Sequence, residues 1–325
     1  VDAYETSLVL FDSVGNFQST VGRRGAGPFE FGSITAAVPA PDSTSLLAGI
    51  AGRRVVVVGG DGVPREEFTV APDLFPASGA DRPVECCRLV GQADDGRLIY
   101  RSRSTQPTEA VAGLWRGEVS VITVAQQPGL DPVPVSLPGT VYQSWDSPRG
   151  WAEPHFSPQT LVVATRNGFA YTTSDEQIVS FRDSDGTAGA SYEISLQRVP
   201  VDDRIRRLSE ARIEARIERM GRDVAEGSGY VMAVANRPYA DSLQSFTGLL
   251  AARTGEVWAI AAWPSYLELP PRAYVFSRES GYLGYVSLPD GETLLAVSRE
   301  RILTTTQDAL GRPLVRLRPL DYQPK

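Results

Sequence analysis

The chain has 325 residues, 22% of them charged, and a formal net charge of −7. An acidic balance of that size argues against a nucleic-acid partner, because phosphate binding needs a basic surface. No stretch approaches the roughly 20 apolar residues that a membrane-spanning helix requires. The 30 glycines and 24 prolines are dispersed, which predicts frequent turns rather than a disordered block. A single domain of this length is expected only if one closed β-architecture absorbs it.

In chain order, "SLVLFDSVGNFQSTVG" (7–22) reads as a β-hairpin. The loop "VGRRGAGPFEF" (21–31) follows. A phosphate loop would need a helix after it and usually a Lys. Instead Pro28 and the β-like "SITAAV" come next, and Lys325 is the only lysine in the chain. The loop therefore reads as a crossing between strands, with Gly22, Gly25, Gly27 and Pro28 shaping it and Phe29 and Phe31 anchoring it. Residues 34–70 then give two hairpins, with Asp61-Gly62 as the second turn. Cys86 and Cys87 are adjacent, so a disulfide between them would be strained, and free thiols are expected.

The same two-hairpin plan recurs at 87–137 with Asp95-Gly96, and at 161–196 with Asn167-Gly168 and Asp185-Gly186. It is clearest at 247–288, where Thr254-Gly255 and Ser280-Gly281 mark the turns, and it is shortened at 293–320. Gly in these positions supplies the positive φ that tight hairpins demand. The Trp/Pro-rich stretch 138–158 reads as a long loop capping one face or plugging the ring. Five inner-strand pairs and one extra outer pair at the N-terminus predict six blades. The first is expected to be either incomplete, with its start lost upstream of Val1, or closed by the C-terminal strands.

One segment breaks the repeat. "VDDRIRRLSEARIEARIERMGRD" (201–223) has helical charge spacing, with Asp202–Arg206, Asp203–Arg207 and Glu218–Arg222 as acid-first pairs and Gly221 as its stop. Ile213, Ile217 and Met220 form a narrow stripe. Glu210, Glu214 and Glu218 flank it on one side, and Arg212, Arg216 and Arg219 on the other. Either this helix lies stripe-down on its own domain, or the stripe and its arginines dock a partner. The polar approach "ANRPYADSLQSF" (235–246) offers Arg237, Tyr239 and Asp241 as candidates for a channel mouth, together with His155 from "WAEPHFSPQ".

The stretch "FDSVGNFQSTVGRRGAGPFEFGSI" (11–34) resembles the blade-linking signature of NHL-type bacterial six-bladed β-propellers, although later blades lack it. The resemblance implies a fold and, often, an extracytoplasmic bacterial protein. It implies no single activity, because propellers host many functions. Residues 1–325 are accordingly expected to form one all-β six-bladed propeller with a helical insertion, 201–222, between blades four and five.

Chemistry is sparse. One histidine builds no multi-histidine zinc site, and no G-x-S-x-G elbow is present. "ADDG" (93–96) and "DSDG" (183–186) lack the ligand series of a calcium loop and read as hairpin turns. No cofactor or metal is therefore expected. The expected function is a non-catalytic, protein-binding or scaffold propeller, an extracytoplasmic accessory subunit of a larger bacterial complex, for instance a respiratory or photosynthetic one. Membrane association is expected only through a partner or a lost N-terminal anchor. The alternative is a calcium-type, metal-assisted hydrolase with carboxylates gathered at the channel.

Overall fold

The computed structural model describes residues 6–12, 16–41, 45–50, 54–70, 88–109, 113–125, 131–144, 150–227, 230–234, 237–298, 300–308 and 312–320. Cys86 and Cys87 lie outside them.

The described residues form six antiparallel sheets, each built from strands consecutive in the chain. The first is the pair β1 (Leu8–Phe11) and β2 (Phe17–Val21). The second holds β3 (Ile34–Pro39), β4 (Ser45–Ile50), β5 (Arg54–Gly59) and β6 (Pro64–Thr69). The third runs β7 (Arg88–Gln92), β8 (Leu98–Arg101), β9 (Leu114–Val124), β10 (Val133–Ser144) and β11 (Trp151–Ala152). The fourth comprises β12 (Thr160–Thr165), β13 (Gly168–Thr173), β14 (Ile178–Asp183) and β15 (Ala188–Glu193). The fifth comprises β16 (Gly248–Ala251), β17 (Val257–Ala261), β18 (Arg272–Ser277) and β19 (Gly281–Ser287). The sixth has β20 (Thr293–Val297), β21 (Arg301–Gln307) and β22 (Pro313–Pro319).

These segments become strands because β-branched and aromatic residues run between turns that only glycine tolerates. Gly62, Gly96, Gly186 and Gly281 have φ of 79°, 83–84° and 77° at four of the tight turns. At Gly168 the φ is 155°, and a Cβ would stand 2.3 Å from the Arg182 carbonyl oxygen of the neighbouring strand.

Successive sheets lie side by side through their first strands: β3 against β7, β7 against β12, β12 against β16, and β16 against β20. The core is correspondingly divided into slabs, one between each consecutive pair of sheets. Leu8, Val21, Phe31, Ile50 and Val56 fill the first slab, and Leu47, Val55, Leu89, Leu98 and Ile122 the second. Ile99, Val121, Leu137 and Phe169 fill the third. Val179, Phe181, Phe246, Val257 and Phe276 form the fourth, and Trp258, Val275, Leu294 and Ile302 the fifth. Polar ties reinforce the slabs at the turns. Arg278 holds Asp183 through two bonds of 2.6 and 2.9 Å, and the Thr123 hydroxyl donates to the Ser184 carbonyl at 2.6 Å.

Helix α1 (Asp203–Met220) lies between the fourth and fifth sheets in chain order. Asp202 caps it, its carboxylate accepting from the Ile205 amide at 2.9 Å, and Gly221 ends it at φ 81°. Its first half packs through Ile205 and Leu208 onto Val201, Leu243, Leu267 and Tyr266.

Three sequence expectations change here. Two further short helices follow α1, namely α2 (Arg222–Gly227) and α3 (Tyr230–Val234), which the sequence does not announce because neither is long enough to show periodicity. Arg222 meets Glu214 rather than Glu218, since it starts α2 and turns back along α1. The expected loop 138–158 is strand at both ends of its undescribed middle: β10 continues to Ser144 and β11 adds a fifth strand to its sheet. Aromatic stacking favours the extended form, with the Tyr142 ring 5.6 Å from Trp115 and 5.0 Å from Trp151.

Candidate functional site

The crossing loop after β2 is held by a carboxylate. Glu30 accepts from the Gly27 amide at 2.9 Å and pairs with Arg23 at 2.7 Å. These bonds, the Gly27 amide first, lower the Glu30 pKa. A Cβ on Gly25 would stand 1.9 Å from the Glu30 carboxylate, so a side chain there would push Glu30 off its bonds to Gly27 and Arg23. Gly22 has φ 88°, and a Cβ there would stand 2.2 Å from the Phe31 ring. Phe31 is fully buried between the first two sheets, and its amide donates to the Arg23 carbonyl at 2.8 Å. Phe29 differs: it is 38% exposed, with φ 57°, and is tied only by its backbone, the amide donating to Glu67 at 2.8 Å. The chain around Pro28 is fastened by Arg54, which donates to the Gly27 carbonyl at 3.1 Å and to Glu67 at 2.9 Å.

Three of the four channel-mouth candidates come together. His155 and Tyr239 form a parallel backbone bridge, the His155 amide donating to the Pro238 carbonyl at 2.7 Å and the Ala240 amide to the His155 carbonyl at 2.9 Å. Their rings lie 4.7 Å apart. Arg237 bonds the Glu153 carbonyl oxygen, and Arg206 of α1 sits 5.8 Å above the Tyr239 ring. Burial lowers the His155 pKa to about 4, and the neighbouring Arg237 adds to the fall; a bond to the Val234 backbone opposes it. His155 is thus neutral at pH 7. Burial raises the Tyr239 pKa, with Glu210 adding to the rise. Asp241 stands apart: its side chain is exposed, and its carbonyl accepts from the Val201 amide at 2.9 Å. The cluster is a seam that closes the root of α1 against the segment before β12, a joint no sequence pattern announces because its halves lie 84 residues apart.

The second half of α1 is different. Ile217 is buried, whereas Ile213 and Met220 are half-buried. Arg212, Ile213, Arg216, Arg219 and Met220 line an open groove of about 500 Å³, with Tyr230 of α3 as its far wall. Arg216 lies 5.0 Å over the Tyr230 ring, and Arg219 donates to its own helix at the Ala215 carbonyl, 3.2 Å away. Tyr230 is the residue that sequence reasoning missed; the only signal for it is that it lies nine residues beyond the helix stop at Gly221. Among the described residues no three His, Cys, Asp or Glu side chains gather as metal ligands, and no helix is long and apolar enough to cross a membrane.

No family model matches the sequence, and no curated protein matches it. Solved structures do. A Bacteroides fragilis protein inferred to be exported is 12% identical, with a TM-score of 0.48 over 94% of this chain and 75% of that one. The Myceliophteria thermophila Cps50 (Swd1) β-propeller domain is 14% identical, with a TM-score of 0.36 over 96% of this chain and 88% of that one. A chain of a mitotic checkpoint complex is 12% identical, with a TM-score of 0.40 over 98% of this chain and 82% of that one.

Proposed function

We propose that the six sheets are the blades of an NHL-like six-bladed β-propeller spanning 1–325, that 201–222 is a helical insertion between blades four and five, and that the protein is a non-catalytic docking subunit. The observation that carries the docking reading is the groove of α1 and α3. Half-buried Ile213 and Met220 among three arginines, on a helix whose first half packs on the connecting segments through Ile205 and Leu208, give a surface shaped for contact. The propeller reading is supported by the consecutive sheets and their neighbouring first strands, and by turns that fall at each Asx-Gly pair. In this reading the partner is a larger bacterial assembly outside the cytoplasm, and His155, Arg237 and Tyr239 fix the insertion at the rim of the channel.

The test is mass spectrometry of proteins that purify with the native chain and with a variant in which 201–222 is replaced by a short Gly-Ser linker. The expected result is a partner present with the first and lost with the second, while circular dichroism retains the β signal. A partner that stays with the linker variant overturns the docking reading.

A further inference from the structure

Resting on that docking reading, we propose that the groove of α1 binds an acidic segment of a partner protein that carries one aliphatic or aromatic side chain among its carboxylates. Arg212 and Arg216 are one helical turn apart and Arg219 follows at the next, so their guanidinium groups rise along one flank at the spacing of helical neighbours. Among the described residues none of the three pairs with a carboxylate: Arg216 rests on Tyr230, and Arg219 bonds a backbone carbonyl. The opposing flank is not equivalent, because Glu214 is already held by Arg222. Planar guanidinium groups bind carboxylates in a bidentate manner, which lysines would not.

The floor adds a second requirement. Half-buried Ile213 and Met220 share the lining with the arginines and Tyr230, so the groove is mixed in character rather than purely basic. Methionine and tyrosine both adapt to an inserted apolar side chain. The chain's net charge of −7 opposes an acidic segment at long range, so binding rests on the local row of three arginines. An anionic bilayer fits less well, since Glu210 and Glu218 are exposed on the same helix and would face the lipid.

The experiment uses the full chain and fluorescence polarisation of a labelled peptide of mixed Glu and Asp with one central Phe. The expected result is saturable binding that weakens as salt rises. It weakens at least about tenfold with Arg212→Glu/Arg216→Glu, and again when the peptide's Phe is replaced by Ser. Arg212→Glu alone serves as the mild variant, since that side chain is exposed and carries no ion pair among the described residues. Equal affinity of the native chain and the double variant overturns the proposal. So does charge-dependent binding to phosphatidylserine vesicles with none to the peptide, or a native dimer that the double variant dissociates. In the co-purification assay, a partner lost with the linker variant but kept by the double variant overturns the acidic-segment proposal alone; one kept by both overturns the docking reading as well.

Discussion

At Gly22 the backbone is in the left-handed region and the Phe31 ring occupies the space a side chain would take. Gly22→Ala must therefore strain the backbone or push a fully buried ring out of the first slab. The expected loss is about 2–4 kcal/mol, read as a lower midpoint in urea unfolding. His155 gives a pH signature. Its pKa falls in the folded state to about 4, against an ordinary value of 6.5. Above pH 6.5 it is neutral in both states and costs nothing. Between pH 6.5 and 4 the unfolded chain takes up a proton that the folded one refuses, so stability declines as pH drops through that window. The expected decline is about 1 kcal/mol once solvent screening of the half-buried ring is allowed for. Comparing melting temperatures at pH 7 and pH 5 checks it: His155→Gln should shift less between the two than the native chain.

At the scale of elements, α1 depends on its cap. Asp202→Ala removes the acceptor for the Ile205 amide and should cost about 1 kcal/mol. The helix is held through one small cluster on the connecting segments, so the loss should appear as faster hydrogen exchange within α1, with β12–β19 unchanged. β22 presents the opposite problem. It is the edge of its three-stranded sheet, and Val315 on it is 64% exposed beside Leu314 and Leu317. Val315→Lys should reduce concentration-dependent light scattering and move the melting temperature by no more than about 0.5 kcal/mol's worth.

What was legible in the sequence follows the same division. Turns at Asp61-Gly62, Asp95-Gly96, Asn167-Gly168 and Asp185-Gly186 are local chemistry, and each falls where the chain reverses. The stop of α1 at Gly221 is local too, whereas Asp202, read as a partner of Arg206, turns out to cap the helix. By contrast the ring contact of His155 with Tyr239 and the bonds of Arg278 to Asp183 join segments far apart in the chain, and the Tyr230 wall belongs to a helix too short to show a period. The strand β11 escaped for another reason: two residues are too few to carry an alternation.

At the scale of the whole molecule, slabs of core make the interior sheets the most secure. The second to fifth sheets have a packed sheet on either side, whereas the two-stranded first sheet and the three-stranded sixth are the smallest. Native-state hydrogen exchange should therefore rank β1–β2 and β20–β22 as first to open and β3–β19 as last; uniform protection across all six would contradict this. The loop at 22–31 matters here, because Phe31 is the wedge that fastens the smallest sheet to its neighbour.

No sheet borrows a strand from another among the described residues, and that has a consequence for how the chain comes into being. A strand need never wait for a partner still unsynthesised. As the polypeptide emerges from the ribosome, each stretch can zip up behind the last, its pairing distances short enough to close quickly. The growing end then always meets a finished surface on which the next sheet can settle.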